Sequence, residues 1–280
     1  MIEFRDVHAS YGGGLPVLRG VSFTIEDGEF VAFAGTNGAG KSTTMRLING
    51  LLKPDQGEVL LDGTPTTQLK VSETARKVGF LFQNPDSQIC CNTVHDELAF
   101  GFKAQGLLDD EAESRIESIA SILKLDLSAD PFLLNRGSRQ LLALASIAVM
   151  ETPVLVLDEP TTGLDYHECC AVMDLIGQMH EKGATVVMVC HDMEVVADYA
   201  ERLIVMNAGQ VVESGPTFTV LRNLSTVETA SLVPPQIVGI SLACARRDPG
   251  LAGTPVTSAN TLDEMVGALE AAAQEGRRSA

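Results

Sequence analysis

Residues 35–42 read Gly35-Thr36-Asn37-Gly38-Ala39-Gly40-Lys41-Ser42, which satisfies the spacing G-x-x-x-x-G-K-[ST]. Glycines at these positions free the backbone to turn its N–H groups onto a β-phosphate; a lysine then neutralises β- and γ-phosphate oxygens, and a serine hydroxyl reaches Mg²⁺. Glycine-rich turns also serve dinucleotides, but Lys41-Ser42 is the wrong continuation for those. The expected ligand is Mg-ATP. Farther along, Val154-Leu155-Val156-Leu157-Asp158-Glu159-Pro160 is an apolar strand ending in two carboxylates, which are costly to bury unpaired. With Mg²⁺ present, Asp158 would hold the metal through water and Glu159 would polarise a water for in-line attack on a γ-phosphate. Solvated acids at an ordinary strand end would look the same in isolation; the upstream loop favours the metal. His191 follows another apolar run, residues 186–190, so its imidazole is expected at a strand's C-terminal edge, where α/β folds bind ligands. A lone histidine is often structural, but its place at this edge favours a γ-phosphate contact.

These side chains need a sheet and helices to hold them. Residues 29–34 form a continuous apolar run ending at glycine, and residues 41–52 carry Met45, Leu47, Ile48 and Leu51 at helical spacing before Lys53-Pro54-Asp55. Strand, glycine loop and helix therefore follow in order. Residues 2–4 and 21–25 alternate like strands. Residues 98–125 have helical periodicity, and a further helix is expected after Gly137, carrying Leu141, Leu142, Leu144, Ala145 and Ala148. Strands at 154–157 and 185–190 flank a helix at 166–181, the alternation of a parallel sheet. Residues 203–206 and 210–213, joined at Asn207-Ala208-Gly209, read as a closing hairpin. After Gly215-Pro216 the pattern shifts to short amphipathic pieces broken by Pro234-Pro235, Pro249-Gly250 and Pro255, read as an appended subdomain at 216–280 that frays from about Gln274.

With 280 residues the chain is long enough for one large α/β domain and a subdomain, well above the size that needs disulfides or metals for stability. Its six cysteines include the adjacent pairs Cys90-Cys91 and Cys169-Cys170; neighbours are poorly spaced for an ordinary disulfide or for metal ligation, so they read as reduced cytosolic thiols. The formal net charge of −17 argues against a nucleic-acid partner, which would call for clustered Lys and Arg. Anionic ATP must then be held by local backbone amides and one lysine. The start of the chain lacks a basic region followed by an apolar stretch, so no secretory signal is expected. The longest apolar run, residues 141–150, is about half of what a membrane-spanning helix needs.

In this order the motifs resemble those of ABC-type ATPases, and the resemblance covers residues 1–215. It implies an α/β fold: a P-loop NTPase (RecA-like) core with ABC-specific antiparallel β strands, a helical subdomain inserted at about 84–144, and a small C-terminal subdomain. It implies that Tyr11 stacks on adenine, that Gly35, Asn37, Gly38, Ala39, Gly40, Lys41, Ser42 and Thr43 hold the phosphates, and that Ser42, Gln83 and Asp158 serve Mg²⁺. Lys41, Glu159 and His191 would be catalytic, and Gly163-Leu164-Asp165 the loop exchanged between paired subunits. In the implied head-to-tail dimer each ATP lies between one subunit's phosphate loop and the other's signature helix. The signature here, Leu134-Asn135-Arg136-Gly137-Ser138-Arg139-Gln140, departs from L-S-G-G-Q or L-S-x-G-E. Asn135 stands where a serine hydroxyl is usual and Ser138 replaces Gln or Glu, while Gly137 still lets the helix N-terminus approach phosphate. Such a change suggests an asymmetric pair, with the site built on this signature the slower.

Phe82-Gln83-Asn84-Pro85-Asp86-Ser87-Gln88, followed by Thr93-Val94-His95-Asp96-Glu97-Leu98-Ala99-Phe100-Gly101, resembles the ATPases of energy-coupling-factor (ECF) transporters, in which these segments line the groove for a coupling helix. The tail, with Pro234-Pro235-Gln236-Ile237 and Thr261-Leu262-Asp263-Glu264-Met265, resembles that group more faintly; it would help the ATPases associate or act as a helical cap. The resemblance implies a peripheral subunit at the cytoplasmic face of the membrane. Its partners would be a second ATPase, a transmembrane coupling protein and a membrane protein that binds a vitamin or transition-metal ion. An ordinary ABC importer or exporter shares the chemistry. Soluble ABC proteins usually carry two cassettes or long coiled coils, and a purely regulatory subunit is disfavoured by the intact Glu159 and His191.

Overall fold

A computed structural model describes residues 1–12, 14–251 and 253–279. In chain order the strands are β1 (Ile2–Ser10), β2 (Pro16–Ile25), β3 (Phe30–Gly35), β4 (Gln56–Leu61), β5 (Thr64–Pro65), β6 (Val78–Leu81), β7 (Val154–Asp158), β8 (Thr185–Val189), β9 (Arg202–Asn207) and β10 (Gln210–Pro216). The helices are α1 (Lys41–Ile48), α2 (Val71–Thr74), α3 (Val94–Gln105), α4 (Asp110–Ile122), α5 (Arg136–Ala148), α6 (Tyr166–Glu181), α7 (Met193–Tyr199), α8 (Thr217–Arg222), α9 (Leu224–Thr229), α10 (Gln236–Arg247), α11 (Pro255–Ser258) and α12 (Leu262–Ser279).

Every residue of β3, β7 and β8 is buried, because these apolar runs occupy the middle of a sheet covered on both faces. That sheet has the order β10-β9-β3-β8-β7-β6, parallel throughout except for the β9–β10 hairpin. Strand side chains alternate between faces, so the interior divides into two cores. Phe30, Ala32, Leu155, Leu157, Val186 and Met188 face a helical layer containing Leu98, Phe102, Ile116, Leu142 and Ile176. Val31, Phe33, Val156, Val187, Ile204 and Met206 face α1 and a second, antiparallel sheet ordered β2-β1-β4-β5, which contributes Ile2, Phe4, Leu18, Val21 and Phe23. The antiparallel strands implied by the resemblance are thus present. Helices α3, α4 and α5 all fall in the connection between β6 and β7.

Several boundaries differ from the sequence reading. Helix α1 stops at Ile48, a turn before the expected end, because Asn49 caps it and Gly50 takes a left-handed φ of 73°. Helix α5 begins at Arg136, ahead of Gly137, because the Asn135 side chain accepts from the Ser138 N–H at 2.8 Å and caps the helix there. The helical stretch expected at 98–125 is two helices, the second capped by Asp109. Strands β1 and β2 are longer than the short runs anticipated, and β4, β5 and β6 were not anticipated.

In the tail, Val256, Ala259, Met265 and Ala268 form a small separate core with Ile237 and Cys244. The fraying expected from about Gln274 concerns residues whose side chains lie outside those described. Among the described residues no helix is long and apolar enough to cross a membrane.

Candidate nucleotide site

Four parallel strands deliver the candidate residues to one edge. Leu81 pairs with Leu157, Asp158 with Val189, and Val189 with Phe33, so β6, β7, β8 and β3 end at the same level. Just past those ends come Gln83, Glu159, His191 and the glycine loop. With Tyr11, Val17, Asn37, Gly38, Ala39, Gly40, Lys41, Ser42 and Thr43 they line a cleft of about 490 Å³.

The loop needs its glycines for steric reasons. Gly35 has φ 140°, and a Cβ there would sit 1.9 Å from the Met206 carbonyl oxygen. Lys41 is buried, and its Nζ donates to the Gly35 and Thr36 carbonyls at 2.8 and 3.0 Å. Burial pulls the Lys41 pKa down, while the nearby Glu159 and Asp158 charges oppose the shift. Tyr11 is half-exposed beside the loop; its hydroxyl lies 3.2 Å from Thr43 Oγ1 and accepts from Arg46 at 3.3 Å.

Asp158 and Glu159 are adjacent in sequence but sit in different surroundings. Asp158 is buried, and its Oδ1 has no hydrogen-bond partner among the described residues. Burial pushes its carboxyl pKa up, partly offset by a hydrogen bond from Ser42. An orphaned carboxylate oxygen beside a serine hydroxyl is a hard oxygen donor set that fits a magnesium ion, and among the described residues no hydrogen bond satisfies that oxygen.

Glu159 has a left-handed φ of 57°, which costs a non-glycine residue roughly 1–3 kcal/mol. Its surroundings hold it there. Its N–H donates to the Val189 carbonyl at 3.0 Å, and Gln140 Nε2 donates to the Glu159 and Pro160 carbonyls at 3.4 and 3.3 Å. On the carboxylate, Oε2 accepts from Thr162 Oγ1 at 3.0 Å and Oε1 accepts from Gln83 Nε2 at 3.2 Å. His191 Nε2 stands 3.1 Å from the same Oε1. The result is a carboxylate aimed by three side chains at the mouth of a phosphate-binding loop. Such an arrangement can position a water and accept its proton.

The family described as ABC transporter matches residues 18–162, a span that contains the glycine loop, Gln83, the signature and the paired carboxylates. The chain belongs to the ABC transporter ATPases. It is 39% identical to the energy-coupling factor transporter ATP-binding protein EcfA of Methanothermobacter thermautotrophicus, over 84% of this chain and 77% of that one. A putative ABC transporter ATP-binding protein of Caldanaerobacter subterraneus is also 39% identical, but this chain spans only 43% of its length. Among solved structures, the dimeric ATP-binding cassette MJ0796 in a post-hydrolysis state with ADP and Pi is 30% identical, with a TM-score of 0.69 over 78% of this chain and 99% of that one. The cbiO1 protein of Clostridium perfringens, part of the ABC transporter complex cbiONQ, is 28% identical, with a TM-score of 0.70 over 89% and 96%.

In this ABC ATPase Asn135, Arg136, Gly137 and Ser138, expected as the signature, and Asp165, expected in the exchanged loop, are not among those lining the cleft. They lie against one another instead. A Cβ on Gly137 would be 3.1 Å from Glu168 Oε2, and one on Gly163 would be 3.5 Å from Arg136 Nε. Asp165 and Glu168 form a reciprocal cap at the start of α6, each accepting the other's N–H at 2.9 Å. Thr162, Val17 and the anchoring role of Gln140 were missed in the sequence. Gln140 stood within the signature stretch, but nothing there indicated its reach to Glu159.

Proposed function

We propose that this chain is the ATP-hydrolysing subunit of an ECF-type ABC importer, coupling hydrolysis to membrane uptake of a micronutrient, a vitamin or a transition-metal ion. The observation that carries the hydrolytic part is the Glu159 carboxylate held by Gln83, Thr162 and His191 at the mouth of the phosphate loop. The ECF assignment rests on the likeness to EcfA and on a groove of about 440 Å³ lined in part by Phe82, Gln88, Phe100 and Gly101, from the segments that resemble an ECF coupling groove.

In this reading Tyr11 stacks on adenine, while the N–H groups of residues 37–43 and the Lys41 ammonium take the phosphates. Ser42, Gln83 and Asp158 would hold Mg²⁺, which when bound neutralises charge on the phosphate oxygens. Glu159 accepts a proton from the attacking water and His191 donates to the γ-phosphate. Asn135, Arg136, Gly137 and Ser138, together with Asp165, complete the site of a paired ATPase. With the Asn135 Oδ1 occupied in capping α5, its amide NH₂ is what remains for a partner's phosphate, so the site built on this signature is the slower of an unequal pair. The remaining partners are a transmembrane coupling protein and a substrate-binding membrane protein, with this chain peripheral at the cytoplasmic face.

Expression in its own host, followed by mild-detergent purification of whatever membrane proteins accompany it, tests the reading. Recovery of a complex carrying a bound vitamin or metal ion, with ATP-dependent uptake in vesicles, is expected. A chain that hydrolyses ATP yet co-purifies with no membrane protein would overturn the transport part.

A further inference from the structure

Cys90 and Cys91 look unpromising in sequence because adjacent residues are badly spaced as ligands. The fold adds a third group. The Glu97 carboxylate, one turn into α3, accepts the N–H of Cys90 at 2.9 Å and of Cys91 at 2.8 Å on the same oxygen, Oε2, which folds the cysteine turn over it. The ligand atoms of Cys90, Cys91 and Glu97 all lie within 4.8 Å of one another. Glu97 is only 4% exposed, and among the described residues no Lys, Arg or His forms an ion pair with it. A carboxylate this deeply buried with no counter-charge is a costly arrangement that a cation would relieve. Cys90 is exposed and provides a way in.

We infer that Cys90, Cys91 and Glu97 bind a thiol-seeking divalent cation of the Zn²⁺ class. Two thiolates and a carboxylate select soft or borderline ions over Mg²⁺ or Ca²⁺. Tetrahedral coordination with Zn–S near 2.3 Å sets the sulfurs roughly 3.8 Å apart and the carboxylate oxygen slightly nearer, so the three side chains close by on the order of 1 Å. Cys90 and Glu97 also line the groove described above, and an ion held by the three side chains would tie the segment leading from Gln83 to the start of α3. Binding requires both thiols to lose their protons, so protons are released as the ion enters.

The test uses the purified, reduced, metal-free full chain and Co²⁺ as a spectroscopic probe. A near-ultraviolet thiolate-to-cobalt charge-transfer band is expected, with proton release, and added Zn²⁺ should abolish it. The double variant Cys90→Ser/Cys91→Ser should lose the band. Glu97→Gln should weaken binding by about tenfold or more. Replacing the other adjacent pair, Cys169→Ser/Cys170→Ser, should leave the band intact. A wild-type chain without the band, or a Cys90→Ser/Cys91→Ser variant that keeps it, would mean that Glu97 serves only to hold the turn. Neither ATP nor a membrane partner enters the measurement, so its outcome is separate from that of the transport reading.

Discussion

Gln83 Nε2 donates to Glu159 Oε1 at 3.2 Å, which joins a residue of the stretch proposed to line a coupling groove to the carboxylate proposed to act on the attacking water. Gln83 lines the nucleotide cleft, and its neighbour Phe82 lines the groove proposed for coupling. Gln83→Ala should lower ATP turnover roughly tenfold, the worth of one charge-assisted hydrogen bond. It should lower vesicle uptake further, because the link to the groove is lost as well. Parallel assays of turnover and uptake check this, and a proportional fall in both would argue against a coupling role.

Gln140→Leu should destabilise the fold. Gln140 is buried and its Nε2 serves the carbonyls of Glu159 and Pro160. Leaving such groups unpaired costs about 1–3 kcal/mol. The Glu159 backbone, already left-handed, also loses an anchor. Thermal unfolding should show a lowered Tm, and steady-state kinetics a lower kcat with KM for ATP little changed.

Asp158 makes the pH behaviour testable. Burial holds its carboxyl pKa above the ordinary value, so the folded chain keeps that proton more tightly than the unfolded chain does. Stability from this group is therefore full below the unfolded value of about 4 and is lost as pH rises through the raised folded value. Asp158→Asn removes the charge and the slope. Without Mg²⁺, its Tm at pH 7 should exceed that of the parent by about 2 °C or more. With Mg-ATP added, the parent should gain more stability than the variant. Calorimetry with and without Mg-ATP at several pH values reads both effects.

The candidate site was legible because its residues come in contiguous stretches: the glycine loop, the strand ending at Asp158-Glu159, and the apolar run before His191. Continuous apolar runs likewise marked β3, β7 and β8, since a strand covered on both faces has no polar alternation to confuse with a loop. Strand β6 was not legible: it is four residues long and interrupted by Gly79, and it is a strand because β7 lies beside it. Strand β4 is exposed over its first three residues and hid for a similar reason. Thr162 and Gln140 gain their roles only where the chain after β7 bends back to meet α5. Cys90, Cys91 and Glu97 become a cluster through the turn before α3.

The central claim is that Glu159 is the proton acceptor for ATP hydrolysis, and Glu159→Gln measured in the assembled complex tests it most directly. The amide keeps the size and most hydrogen bonds of the side chain but cannot take the proton. ATP affinity should stay within a few fold of the parent, while single-turnover hydrolysis at this chain's phosphate loop falls by about 10²–10⁴-fold. Hydrolysis at that loop within a factor of about three of the parent, a barrier change under about 1 kcal/mol, would contradict the account.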